Sequence, residues 1–221
     1  MVELTGVTSR TVELAAADLP DYIAGLPRLL AENLTVKVSG TLTADFLYIT
    51  HFYGPGFLTV MAEADGDAVL KALVHVSACA VPVTFQTIRF QDPKPETEAE
   101  RHGLSTTNGS IVYAYDCSFS STGGGTSQNK GYTALFASYG ASICTAHIKN
   151  ASGCGCVAMA SRGGAIVCSA ATADALHDNA VGAYVWEGGI VYIGGASPNT
   201  LGGASNGKHC GLIVKDGGTL L

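Results

Sequence analysis

The sequence predicts an all-β chain coiled as a right-handed parallel β-helix of about 23 residues per turn, with a short capping helix at its N-terminal end. Three observations carry this: a four-residue pattern that returns at near-constant intervals, a succession of short β-rich runs, and one amphipathic segment near the start.

The pattern is Gly or Ala, any residue, Ile, then Val or Cys. It begins at Gly109, Ala141, Gly164, Gly188 and Gly211, and its isoleucines are Ile111, Ile143, Ile166, Ile190 and Ile213. The intervals are 32, 23, 24 and 23, and Ile88 lies 23 residues before Ile111. The long interval contains the Gly/Ser/Thr-rich stretch from Ser120 to Lys130, which reads as an inserted loop. At roughly 3.3 Å per residue, about 23 residues close a triangular circuit of three short strands. Equivalent residues then stack about 4.8 Å apart, so one inward isoleucine per turn forms a ladder.

The β-rich runs start at Leu34: LTVKVSG, FLYITHF, FLTVMAE, VLKALVHV and VPVTFQTIRF, each punctuated by Gly, Asp, Asn or Pro. Before them, Leu19, Ile23, Leu26 and Leu30 recur at helical spacing within residues 18–32, with Asp18 at the N-cap position and Pro20 close behind. Pro27 lacks a donor N–H, so this segment can break into two short turns. The organisation expected is an N-terminal strand and capping helix over residues 1–33 and a β-helix over residues 34–221. The last repeat runs directly into Thr219, Leu220 and Leu221 with no comparable cap, so a second subunit or an irregular strand is expected to cover that end.

Composition narrows the function. Charged residues are 14% of the chain and apolar residues 47%, a thin charged coat that points to a surface covered by self-association. No run approaches the roughly 18 apolar residues of a spanning helix, so membrane insertion is not expected. With a net charge of −6 and only twelve Lys and Arg, there is no basic stripe for nucleic acid. The N-terminus lacks the charged and apolar regions of a secretory signal, so assembly in a cytoplasm is expected. Seven cysteines, among them Cys79, Cys117, Cys144, Cys168 and Cys210 in apolar or small-residue runs, read as reduced thiols.

No motif calls for a cofactor. Cys144, His147, Cys154 and Cys156 are zinc-ligand types, but Cys144 fills the strand position held elsewhere by valine, so no metal site is assigned. Asp92, Asp116, Asp178 and Glu187 are the nearest carboxylates to a glycan-cleaving pair, yet the repeat aligns no two on successive turns, and no catalytic residue is assigned. Aromatic residues are the better candidates for binding. Tyr113, Tyr115, Tyr132, Tyr139, Tyr184, Trp186 and Tyr192 fall in the repeats, where neighbouring turns can set several into a strip for sugar or protein contact. The candidate ligand-binding residues are Trp186 and Glu187 at a corner, Tyr184 and Tyr139 in the repeats, and Lys130 and Lys208 in the projecting segments 120–130 and 197–208.

The stretch from Leu26 to Thr41, LPRLLAENLTVKVSGT, followed by Phe52-Tyr53-Gly54-Pro55-Gly56, resembles the segments that lead into β-helices in tail-associated proteins of bacteriophages and prophages. The resemblance continues through the Gly-x-Ile-Val ladder and so covers most of the chain. It implies a homotrimeric tail fibre or spike in the virion, assembled in the host cytoplasm with other tail proteins, that binds a bacterial surface glycan or protein. Its motifs report fold rather than chemistry. The short length and the lack of an aligned acidic pair favour a non-enzymatic structural or receptor-binding role; the alternative is a β-helical polysaccharide-cleaving hydrolase or lyase.

Overall fold

A computed structural model describes residues 7–95, 100–122, 131–170, 176–177, 179–194 and 210–221. The coil begins with β1 (Ser9–Ala15), and a single 3-10 turn (Ala16–Asp18) leads into α1 (Leu19–Gly25). β2 (Asn33–Thr50) bends around all three faces of the next turn. β3 (Leu58–Met61) and β4 (Ala68–Ser77) form the turn after it. From there each turn has three strands: β5 (Val83–Gln86), β6 (Arg89–Gln91) and β7 (Arg101–Thr107); then β8 (Ile111–Tyr115), β9 (Ser118–Ser120) and β10 (Tyr132–Ala137). β11 (Ser142–Ala146), β12 (Asn150–Ser152) and β13 (Cys156–Ala160) follow, then β14 (Ala165–Ser169), β15 (Leu176–His177) and β16 (Val181–Val185). β17 (Ile190–Gly194), β18 (Cys210–Val214) and β19 (Thr219–Leu220) complete the described coil. Every strand pairing is parallel, which makes the chain a β-helix of about seven turns.

The first face stacks β1, the start of β2, β3, β5, β8, β11, β14, β17 and β19. Its inward column is Leu34, Leu58, Val83, Val112, Ile143, Ile166 and Val191, each fully buried. On the second face Phe90 stacks on Phe119 at 4.8 Å and meets Phe85 edge-on at 5.4 Å. Each such side chain contributes about 1.5–3 kcal/mol by leaving water, and the columns merge into one core.

The isoleucine ladder read from the sequence needs correction. Ile143 and Ile166 are paired neighbours, but Ile111 and Ile190 lie one residue out of register and point outward, 42% and 43% exposed. Ile213 belongs to the third face, opposite Tyr184, and Ile88 sits at a corner rather than in the ladder. Measured by paired residues on the first face, the turns run from 23 to 31 residues rather than a constant 23.

The helix is shorter than residues 18–32 but buries the expected residues: Leu19, Ile23, Leu26 and Leu30 all join the core. Leu26 turns extended because it precedes Pro27, whose ring disfavours the helical region for its neighbour. Asp18 occupies the N-cap without a capping hydrogen bond. β1 is already a rung, in register with β2 from Ser9↔Asn33 to Ala15↔Ser39, so the helix is the crossover between the first two rungs.

From β7 onward the third-to-first-face corners repeat one geometry. Asn108-Gly109, Tyr139-Gly140, Arg162-Gly163, Glu187-Gly188 and Asp216-Gly217 all have positive φ at both positions. A backbone bond closes each turn, for example Gly164 N to Ser161 O at 2.8 Å and Gly189 N to Trp186 O at 2.9 Å. Two consecutive left-handed residues with that bond define a type I′ turn, and glycine takes the second place because it carries no Cβ penalty.

Candidate functional site

The third face stacks the ends of β2 and β4 with β7, β10, β13, β16 and β18. Its outward column runs Tyr48, His75, Ser105, Phe136, Met159, Tyr184, Ile213, each residue paired with the next. Chemistry changes along this column. Its later half is apolar: Met159 and Tyr184 are buried with Cys156, Ala180 and Val181 in a second cluster against which Phe136, Trp186 and Ile213 pack. Its earlier half is a groove of about 350 Å³ lined by Phe46, Tyr48, Leu73, His75, Glu100, Arg101, His102 and Ser105.

Phe46 and Tyr48 form an exposed stacked pair, ring centres 5.4 Å apart and 16° from parallel, and Tyr48 meets the His75 ring edge-on at 6.0 Å. His75 Nδ1 lies 2.7 Å from Ser105 Oγ, which itself donates to Val74 O at 3.3 Å. The imidazole and the hydroxyl hold each other in place, and which of the two donates depends on the imidazole tautomer. Burial, with the nearby charge of His102, holds His75 below its ordinary pKa. His102 Nε2 lies 3.1 Å from Glu100 Oε1, and its ring stacks on Phe136 at 4.1 Å. That hydrogen bond lowers the Glu100 pKa.

Beneath the groove a buried ion pair fixes its wall. Arg101 Nε and Nη2 donate to the two Asp92 oxygens at 3.0 and 2.7 Å, and Ser121 Oγ donates to Asp92 at 2.9 Å. Asp92 is 1% exposed and Arg101 6%, so the guanidinium is committed to its carboxylate in bidentate geometry. Asp92 follows β6, Arg101 opens β7 and Ser121 follows β9, so the network ties together second-to-third-face corners of two successive turns.

Four of the six predicted binding residues come together at the other edge of the third face. Arg162, in the turn between those of Tyr139 and Glu187, lies 4.9 Å from the centre of the Tyr139 ring, donates to its hydroxyl, and pairs with Glu187 through Nε at 2.9 Å. Trp186 is half-buried, edge-on to Tyr184 at 4.8 Å and 6.4 Å from Phe136. Tyr184 is only 8% exposed, and Lys215 Nζ sits 5.5 Å from its ring centre. The corner tryptophan thus packs into the second cluster rather than standing free. Lys130 and Lys208 lie outside the described residues. Arg162 was not foreseen, although its place in the repeat beside Gly163 is the place Tyr139 holds beside Gly140.

The remaining candidates are dispersed. The aromatics do not form one strip: Tyr113 and Tyr115 stack outward on the first face at 5.9 Å, with Tyr192 on the same face, while Tyr132 is in the core. Asp92 is the buried partner of Arg101, Asp116 stands at a corner 4.0 Å from His147, Glu187 pairs with Arg162, and Asp178 lies outside the described residues. Cys144 is on the outer first face, His147 is exposed at a corner, and Cys154 and Cys156 are buried; no group of three metal-ligand side chains assembles among the described residues. The six cysteines whose side chains are described are free, and burial pushes the thiols of Cys117, Cys156 and Cys168 up to about 12. No described helix is long and apolar enough to cross a membrane.

Fold and site define a parallel β-helix with an aromatic and histidine-lined groove on one face. No family model, curated protein or solved structure matches the chain.

Proposed function

We propose that this chain is a non-enzymatic attachment protein of the tail fibre or spike type, a homotrimer that binds a bacterial surface glycan or protein beside other tail proteins. The observation that carries the reading is a division of labour around the coil. On the first face, the outward positions of β8, β11, β14 and β17 are Ile111, Tyr113, Tyr115, Ser142, Cys144, Ala146, Ala165, Val167, Ser169, Ile190, Tyr192 and Gly194. None is charged, and Ile111, Val167, Ile190 and Tyr192 are 42–45% exposed. A flat uncharged strip four rungs tall, about 19 Å at 4.8 Å per rung, suits contact with copies of itself. The third face and its bordering segments carry the aromatic, imidazole and carboxylate groups that suit recognition.

Labelled full-length protein applied to a panel of bacterial strains tests this reading. Strain-selective attachment without release of reducing ends from surface glycan is the expected result. Release of reducing ends would replace it with the polysaccharide-cleaving alternative, and no attachment to any strain would remove the receptor-binding role.

A further inference from the structure

We propose that the groove between Phe46 and His102 binds a neutral polyhydroxylated ring, a saccharide unit, whose apolar face lies on Phe46 and Tyr48. The inference rests on the attachment reading above for its biological use and supplies the part that touches glycan.

Exposure is the first argument. Phe46 and Tyr48 are 49% and 55% exposed on a face whose later aromatic, Tyr184, is buried. Two stacked, exposed rings offer apolar ring surface to solvent, and the C–H face of a pyranose can lie against such a ring. The groove's volume, about 350 Å³, falls at the low end of the roughly 300–1,000 Å³ of small-ligand sites.

The polar rim selects among ligands that could stack there. Hydroxyl groups both donate and accept, so they can give a hydrogen to the Glu100 carboxylate and meet the ring nitrogen of His102 that Glu100 does not hold. An anionic ligand is disfavoured. Among the described residues the one guanidinium lining the groove is held by Asp92, Glu100 adds a negative charge at the rim, and the chain carries −6. Orientation is fixed before a ligand arrives, because His75 is held by Ser105, and His102 by Glu100 and Phe136.

A glycan array that carries neutral and sialylated or sulfated oligosaccharides, probed with the full chain, tests the assignment. Neutral glycans should be captured, and Tyr48→Ala should weaken capture at least about tenfold, the equivalent of roughly 1.4 kcal/mol. Glu13→Ala, an exposed side chain on the first face, should leave capture unchanged. Tyr48 is more than half exposed, so the Tyr48→Ala chain should melt with the parent, and a second variant, Phe46→Ala, repeats the test at the other ring. Capture of acidic glycans alone, no capture, or capture indifferent to both variants overturns the assignment. Attachment to cells measured in parallel separates the two readings: attachment without glycan capture rejects the groove and keeps the attachment role, whereas capture without attachment does the reverse.

Discussion

A single residue on this coil is defined by the face it points to. Ile166 and Ile190 occupy the same place in the four-residue pattern, yet Ile166 is fully buried in the first-face column and Ile190 is 43% exposed. Ile166→Asp should cost about 3–5 kcal/mol, because it leaves an unpaired carboxylate in the core. Ile190→Asp should change stability by about 0.5 kcal/mol or less. Urea unfolding at high dilution, where association contributes nothing, checks both, and equal losses would refute the register. His75 gives a second residue-scale expectation. Its folded pKa lies below the ordinary value of 6.5, so the unfolded chain takes up the proton first as pH falls. Stability should therefore decline as pH drops below about 6.5 until the folded pKa is passed, and be unaffected by this group above it. His75→Gln should flatten that decline in melts between neutral and mildly acidic pH. The lowered carboxylates Glu63, Asp65 and Glu100 act in a lower window and do not mask it.

Elements form where local chemistry and stacking agree, and they were legible from sequence to the same extent. The helical spacing of Leu19, Ile23, Leu26 and Leu30 identified four core residues correctly, because a crossover segment lying on the coil has one buried side and one wet side. Strand register was not legible. On the first face both sides of a strand are apolar, so Ile111-Val112 and Ile190-Val191 offer no in-out alternation, and a one-residue slip leaves the pattern looking intact. The glycines of the type I′ turns were the better marker: Gly140, not Ala141, is the partner of Gly109. The groove was hidden for a different reason. Tyr48, His75 and Ser105 meet only because turns of unequal length close the circuit, and no fixed spacing announces such a set. Corner geometry gives a paired prediction. A methyl at Gly164 would lie 2.2 Å from Ala137 O, backbone of the preceding rung, so Gly164→Ala should cost about 3 kcal/mol by overpacking. At Gly188 the space is open but φ is +74°, so Gly188→Ala should cost only the left-handed penalty of about 1–2 kcal/mol. Thermal melting of the two variants should rank them in that order.

For the whole molecule the open question is what covers the first face. Its early rungs stack Thr11, Thr35, Thr59 and Thr84, with Glu13 and Lys37 beside them, and this side is wet. The same column continues as Tyr113, Cys144, Val167 and Tyr192, where charge disappears and exposure stays high. An isolated soluble chain gains nothing from such a change halfway along one face, but side-by-side association of parallel coils does, since apolar rows on flat sheets bury each other at about 25 cal/mol per Å². Three copies about a common axis leave the third faces and their grooves outward, which a closed symmetric assembly requires if it is also to bind a surface. The expectation is a trimer mass by light scattering at micromolar concentration. Val167→Glu together with Tyr192→Glu should yield monomers that keep their β-rich circular dichroism, because both side chains point away from the core. A parent chain that is itself monomeric at that concentration would sink the trimer, and trimers that survive the two carboxylates would move the interface to another face.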